Sequence, residues 1–145
     1  MTENEVYGIS SALPDYQVAF HLNRSWHCEV LRLKDVAPGE LNSIPYTIFG
    51  QFDFHIQRGI YLLTNKRHRQ FLLGFAKPFD FVLYFQFQDP ILIKTCINQL
   101  KTIDNIAMVK GLGVVGKYPL LQNIIAKTNH ENNPCLLYTS PSPRD

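Results

Sequence analysis

The stretch Phe79-Asp80-Phe81-Val82-Leu83-Tyr84-Phe85-Gln86-Phe87 decides the fold. Its odd positions, Phe79, Phe81, Leu83, Phe85 and Phe87, are large and apolar, while Asp80, Val82, Tyr84 and Gln86 fill the even ones. A period of two predicts a strand with one face on a core. Each such side chain contributes about 2 kcal/mol when buried, and no other segment offers as much apolar surface. The run therefore sets a central strand. It carries no chemistry of its own.

On its C-terminal side, Asp89-Pro90 predicts a helix start, with Asp as N-cap and Pro at the first helical position. Ile93, Cys96, Ile97 and Leu100 recur at i, i+3, i+4 and i+7, which puts them on a buried face and Lys94, Asn98 and Lys101 outside. A short strand over Ile106–Val109, a glycine-rich turn over Gly111–Gly116 and a last helix over Pro119–Lys127 follow.

On its N-terminal side, Pro78 separates the central strand from a short strand over Phe71–Phe75. Asn65–Gln70 is polar and basic and reads as a loop. Gly59–Thr64 and Tyr46–Phe54 read as strands joined by a turn at His55–Arg58, with Gly50 marking a bulge or a close backbone approach. Further out lie a strand over Val30–Leu33 and a turn at Ala37–Gly39. A helix opens at Leu13-Pro14-Asp15 and ends near Trp26, with Tyr16, Ala19, Phe20 and Asn23 on one stripe beside Val18 and Leu22. A first strand over Val6–Ser10 is interrupted at Gly8. The order is β-α-β-β-β-β-β-α-β-(α). It predicts an α+β fold, a single domain over residues 1–128, with a mainly antiparallel sheet backed by two main helices and a disordered tail over 129–145.

The 145 residues suffice for one domain with a hydrophobic core, and 46% hydrophobic against 18% charged residues describes an ordinary globular chain. A net charge of +2 falls short of a nucleic-acid-binding footprint. The apolar runs are strand-length, so no membrane span is expected, and the polar start Met-Thr-Glu-Asn-Glu does not fit a secretory signal. Cys28 and Cys96 show no partner pattern, which suits reduced thiols and a cytoplasmic protein. The final residues Cys135 to Asp145 resemble the in-frame translation of a transposase-type sequencing adapter, which places the end of the biological chain near Asn133 or Pro134.

Three patterns bear on chemistry. Gly111-Leu112-Gly113-Val114-Val115-Gly116-Lys117 fits G-x-G-x-x-G and reaches the Gly-Lys of a phosphate-binding loop, making Gly111, Gly113, Gly116 and Lys117 candidates for a nucleotide. Both motifs aim backbone N–H groups at phosphates from a strand-to-helix loop, yet Tyr118 stands where a Mg²⁺-ligating hydroxyl belongs and Pro119 removes a donor. Lys66, Arg67, His68 and Arg69 form the one dense basic cluster, which makes Lys66, Arg67 and Arg69 candidates for phosphates of RNA; a solvated loop guarding a sheet edge explains them as well. The histidines lack ligand spacing, so no metal and no cofactor is expected, and no catalytic constellation is present. Ser10-Ser11 ahead of a helix reads as turn and capping chemistry.

Gly8-Ile9-Ser10-Ser11, Asp15-Tyr16 and Leu22-Asn23, with Tyr61-Leu62-Leu63-Thr64-Asn65 further on, resemble an uncharacterised bacterial family, mostly from Bacteroidota, named for the signature I-P-E-x-x-x-V-D-Y. The signature falls on Leu73 to Phe81: Leu73, Phe79 and Phe81 stand for Ile, Val and Tyr, Asp80 is the Asp, and Gly74 and Phe75 replace Pro and Glu. The resemblance implies a small cytoplasmic α+β domain and brings no activity, cofactor or site residue with it. Asp80 has a functional reading as a fixed polar group and a favoured structural one, as a cap that steers the start of the central strand. The expectation for function is a non-enzymatic protein-interaction module meeting a protein partner through an exposed edge or helix face. Nucleotide binding through Gly111–Lys117 and RNA binding through Lys66–Arg69 stand as alternatives.

Overall fold

The computed structural model describes residues 4–26, 29–33, 35, 45–53, 58–67 and 69–131. Its strands are β1 (Glu5–Ser11), β2 (Leu31–Arg32), β3 (Ile48–Asp53), β4 (Arg58–Thr64), β5 (Lys66–Arg67), β6 (Gln70–Phe71), β7 (Phe81–Gln86) and β8 (Ile106–Val114). The helices are α1 (Asp15–Trp26), α2 (Pro90–Leu100) and α3 (Pro119–Glu131). Six strands form one antiparallel sheet in the order β2-β3-β4-β7-β1-β8, and β5 and β6 make a separate hairpin. The α+β class and the antiparallel sheet are as the sequence predicts. The turn at Ala37–Gly39, most of the turn at His55–Arg58, Cys28, His68 and the adapter-like tail lie outside the described residues.

Strand β7 sits between β4 and β1, with Leu83 opposite Leu62 on one side and Tyr7 on the other. Its odd residues Phe81, Leu83 and Phe85 join Ile9 and Leu62 in a core with Val18 and Leu22 of α1 and Ile93, Cys96, Ile97 and Leu100 of α2. The expectation of a single buried face is corrected. Val82 and Tyr84 are equally buried, in a second core with Tyr61 and Leu63 and with Leu121, Ile124 and Ile125 of α3. The sheet is thus the middle of three layers: α1 and α2 are the two main helices expected to back it, and α3 covers the other face. Two-sided burial also explains why Val and Tyr, not charged residues, fill the even positions.

Helix α3 begins at Pro119 as expected but runs to Glu131, beyond Lys127 and through residues 129–131 assigned to the tail. Burial of Thr128 and two hydrogen bonds at Asn129 hold this last turn. The Tyr61 hydroxyl donates to Asn129 Oδ1, and Asn129 Nδ2 donates to Gln86 Oε1 at 3.3 Å. In α1 the buried stripe is Val18, Ala19 and Leu22, whereas Tyr16 and Phe20 are 62% and 54% exposed, which corrects the stripe read from the sequence. Asn23 instead holds the entry to β2, exchanging hydrogen bonds with the backbone of Val30 at 2.8 and 3.2 Å. Helix α2 is as predicted: Asp89 accepts from Leu92 N at 3.2 Å, Pro90 opens the helix, and the four expected residues are buried.

Three strand boundaries depart from expectation. β1 is not broken at Gly8; the strand passes the Phe79 ring so closely that a Cβ there would lie 2.5 Å from it. β8 does not end at Val109 but continues to Val114, so the predicted turn at Gly111–Gly116 is strand followed by a 3-10 turn over Val115–Lys117. The cause is the length of β1, which pairs Tyr7 with Gly111, Val6 with Gly113 and Glu5 with Val114 across a bulge, Gly113 taking φ 102°. Finally, Phe71–Phe75 is not a strand: only Gln70 and Phe71 pair, with Arg67 and Lys66, before a 3-10 turn over Gly74–Ala76. Gly50 keeps β3 in register with β4 and marks a close approach to the Tyr61 ring, not a bulge.

Gly8→Ala should lower the unfolding free energy by about 1–3 kcal/mol, because a Cβ overpacks the Phe79 ring. Gly111→Ala, whose Cβ would meet the Tyr7 ring at 3.7 Å, should leave stability unchanged or raised by up to about 1 kcal/mol in denaturant titrations. Burial pushes the Tyr61 and Tyr84 hydroxyls above the ordinary 10.0. The unfolded chain loses those protons first, so stability should hold below about pH 10 and fall above it, and Tyr61→Phe should flatten that fall.

Candidate functional site

Asn65 follows β4 directly, and its amide brings two donors and an acceptor into a fully buried position. Its Oδ1 accepts from Leu73 N at 2.7 Å, and its Nδ2 donates to the carbonyls of Phe79 at 3.1 Å and Ala76 at 3.3 Å. Its own N–H donates to the Asp80 carbonyl at 2.8 Å, and its carbonyl accepts from Leu72 N at 2.8 Å. Every polar group of the residue is thereby used, as burial demands. The loop from β4 to β7 is wrapped around this one side chain.

That wrapping fixes both ends of a cleft. At one end the β5–β6 hairpin projects from Asn65, with Lys66 N donating to the Asp80 carbonyl at 3.2 Å and Arg69 turning the chain at φ 68°. At the other, Asp80 joins β7 to the end of β1: its N–H donates to the Ile9 carbonyl at 2.9 Å, and its Oδ2 accepts from Ser11 N at 2.9 Å. The Ser11 hydroxyl donates to the Asn105 carbonyl at 2.7 Å and accepts from Leu13 N at 3.0 Å, which shapes the turn into α1. Asp80 and Ser11 thus carry the capping roles read from the sequence.

The cleft between them encloses about 580 Å³. Arg32, Lys66 and Arg67 line it beside Asp15, Asp35 and Asp80, with Thr47 and Thr64 among the walls. Its carboxylates have partners within the protein. Asp15 accepts from Tyr16 N at 2.7 Å and from the Thr47 hydroxyl at 2.6 Å, and Thr47 in turn lies 2.5 Å from the Thr64 hydroxyl. Since the Thr47 proton is committed to Asp15, Thr64 is the donor of that pair. Asp35 binds Arg32 at 3.0 and 3.2 Å and holds its guanidinium above the ordinary value. The cations of the hairpin differ. Among the described residues the Lys66 ammonium has no ion-pair or hydrogen-bond partner, and Arg67 donates only to a neutral acceptor, the Pro45 carbonyl.

Of the residues singled out from the sequence, Lys66 and Arg67 enter the cleft, while Arg69 stands exposed at the hairpin turn outside its lining. Gly111 and Gly113 lie within β8 and Gly116 and Lys117 in the 3-10 turn after it, and none lines the cleft. There the Tyr118 hydroxyl donates to the Leu112 carbonyl, and its ring stacks on Phe75 at 3.7 Å. Among the described residues no three His, Cys, Asp or Glu side chains are placed to share a metal ion. Sequence reading missed Arg32, Thr47 and Thr64. The two threonines meet because Ile48 pairs with Leu63, so the signal was a hairpin register that the sequence does not print.

Asn65→Ala strands an amide and two carbonyls in the interior and should cost at least about 3 kcal/mol of unfolding free energy, measured in denaturant. A loss below about 1 kcal/mol would show that the loop does not depend on this side chain.

No protein-family model, no curated protein and no solved structure matches this chain, so the geometry of the cleft alone carries the functional reading.

Proposed function

We propose that this chain is a non-enzymatic protein-interaction module that meets its partner at the Lys66–Arg67 cleft. One observation carries the reading: the cleft's carboxylates are engaged within the protein, whereas Lys66 and Arg67 make no ion pair among the described residues. A partner that supplies an acidic side chain completes the site. Among the described residues the lining holds no His or Cys, and the hydroxyls of Ser11 and Thr47 donate their protons to structural acceptors, which suits recognition. The aromatic residues Tyr61, Tyr84 and Phe85 are spent in the two cores.

Several residues that carry the likeness to the I-P-E-x-x-x-V-D-Y family lie at this end of the sheet, although the likeness brings no site residue with it. Leu73 and Asp80 are tied into the Asn65 loop, and Phe81 lines the cleft. An RNA backbone suits the chain less well, since a net charge of +2 falls short of a nucleic-acid-binding footprint.

Affinity capture from bacterial lysate should return a stoichiometric protein partner with the parent chain. Its yield should fall at least about tenfold, or ~1.4 kcal/mol, with Lys66→Glu/Arg67→Glu. Lys94→Glu/Lys127→Glu, on exposed faces of α2 and α3, should leave it unchanged. Equal loss in both variants, or recovery of nucleic acid alone that moderate salt releases, would overturn the proposal.

A further inference from the structure

Residues 66–71 leave the fold and come back to the same point. The Asn65 carbonyl accepts from Leu72 N at 2.8 Å, and the residues between them form the β5–β6 hairpin, pairing Lys66 with Phe71 and Arg67 with Gln70. None of those described belongs to either core. The excursion carries Lys66, Arg67 and Arg69 and no acidic residue. At its turn Arg69 has φ 68°, in the left-handed region, where a Cβ crowds the backbone and Gly or Asn costs less. The Arg69 side chain is exposed and makes no ion pair among the described residues. It therefore repays nothing within the protein for the backbone it imposes. Strain of this kind collects where a side chain serves recognition.

We infer that Arg69 is a specificity-determining residue of the docking surface: from the turn of the hairpin, its guanidinium takes a carboxylate of the partner through paired hydrogen bonds. The inference rests on the reading of the Lys66–Arg67 cleft as the docking surface. The lining of that cleft sets Arg32, Lys66 and Arg67 against Asp15, Asp35 and Asp80, so its formal charge is balanced. Arg69 lies outside the lining, and the surplus positive charge of this surface is therefore its own. A guanidinium presents its N–H groups as a planar fork that matches both oxygens of a carboxylate, whereas an ammonium is a point charge. Arg at this position thus supplies direction as well as charge.

The test is selection of random dodecapeptides displayed on phage against the full chain, followed by titration of a synthetic consensus peptide. The account expects an acidic residue in the consensus and at least about a fivefold loss of affinity with Arg69→Gly. The denaturation midpoint of that variant should stay unchanged or rise, because Gly takes the left-handed conformation freely. Arg69→Lys, which keeps the charge and removes the fork, should lose at least about twofold. Replacing the acidic residue of the peptide by its amide should leave Arg69→Gly without effect. Loss with Lys66→Glu/Arg67→Glu but not with Arg69→Gly would overturn the inference and leave the docking surface standing. Loss with Arg69→Gly alone would overturn the cleft reading and leave the Arg69 contact standing. A lowered denaturation midpoint in Arg69→Gly would overturn the inference, since the side chain would then hold the hairpin together. Peptides indifferent to every variant, or a single-stranded RNA oligonucleotide bound more tightly than the consensus peptide, would overturn both.

Discussion

Asn65 is the constraint on which the functional end of this molecule depends. A fully buried amide is costly unless all its hydrogen bonds are made, and here the chain from Leu72 to Asp80 bends so that they are. The 3-10 turn, the β5–β6 hairpin and the cap on Ser11 are consequences of that one requirement. Lys66 and Asp80 are also tied directly, by the bond from Lys66 N to the Asp80 carbonyl beside the Thr64–Phe81 pair.

The rest of the fold provides a rigid base. β7 and β4 are buried on both faces, so the sheet cannot shear without breaking two cores at once. The cleft opens where the inner strands end, at Thr64 of β4 and Phe81 of β7, and its walls come from α1, β2, β4 and the hairpin. Side chains anchored on the ends of such strands hold their positions better than those on free loops. The Thr64–Thr47–Asp15 chain of hydroxyls extends this anchoring to the start of α1, whose positive end favours the Asp15 carboxylate.

Local pattern carried much of the architecture. Asp89-Pro90 and the spacing Ile93-Cys96-Ile97-Leu100 placed α2 correctly, because a cap and a buried face are written in adjacent residues. Phe79–Phe87 placed the central strand but hid its second buried face, since Val82 and Tyr84 suit either a solvated or a covered side. Gly8 and Gly111 misled for a common reason. Each looks like a chain break, yet one makes room for a ring and the other lies inside an edge strand, and only the partner strand decides which. The site was less legible still. Lys66 and Arg67 stood out by charge, but Arg32, Thr47 and Asp15 reach the cleft through pairings between distant segments. Nor does Asn65 announce itself in sequence, since an Asn after a strand reads as an ordinary turn residue.

The central claim is that the cleft is built into the free protein by hydrogen bonds that radiate from Asn65 and Asp80. Amide hydrogen exchange of the free protein tests it most directly. The account predicts that the amides of Leu73, Lys66 and Ser11, bonded to Asn65 Oδ1, the Asp80 carbonyl and Asp80 Oδ2, exchange within about tenfold of the β7 amides. Exchange of these three at the rate of an unstructured chain, with β4 and β7 still protected, would contradict it.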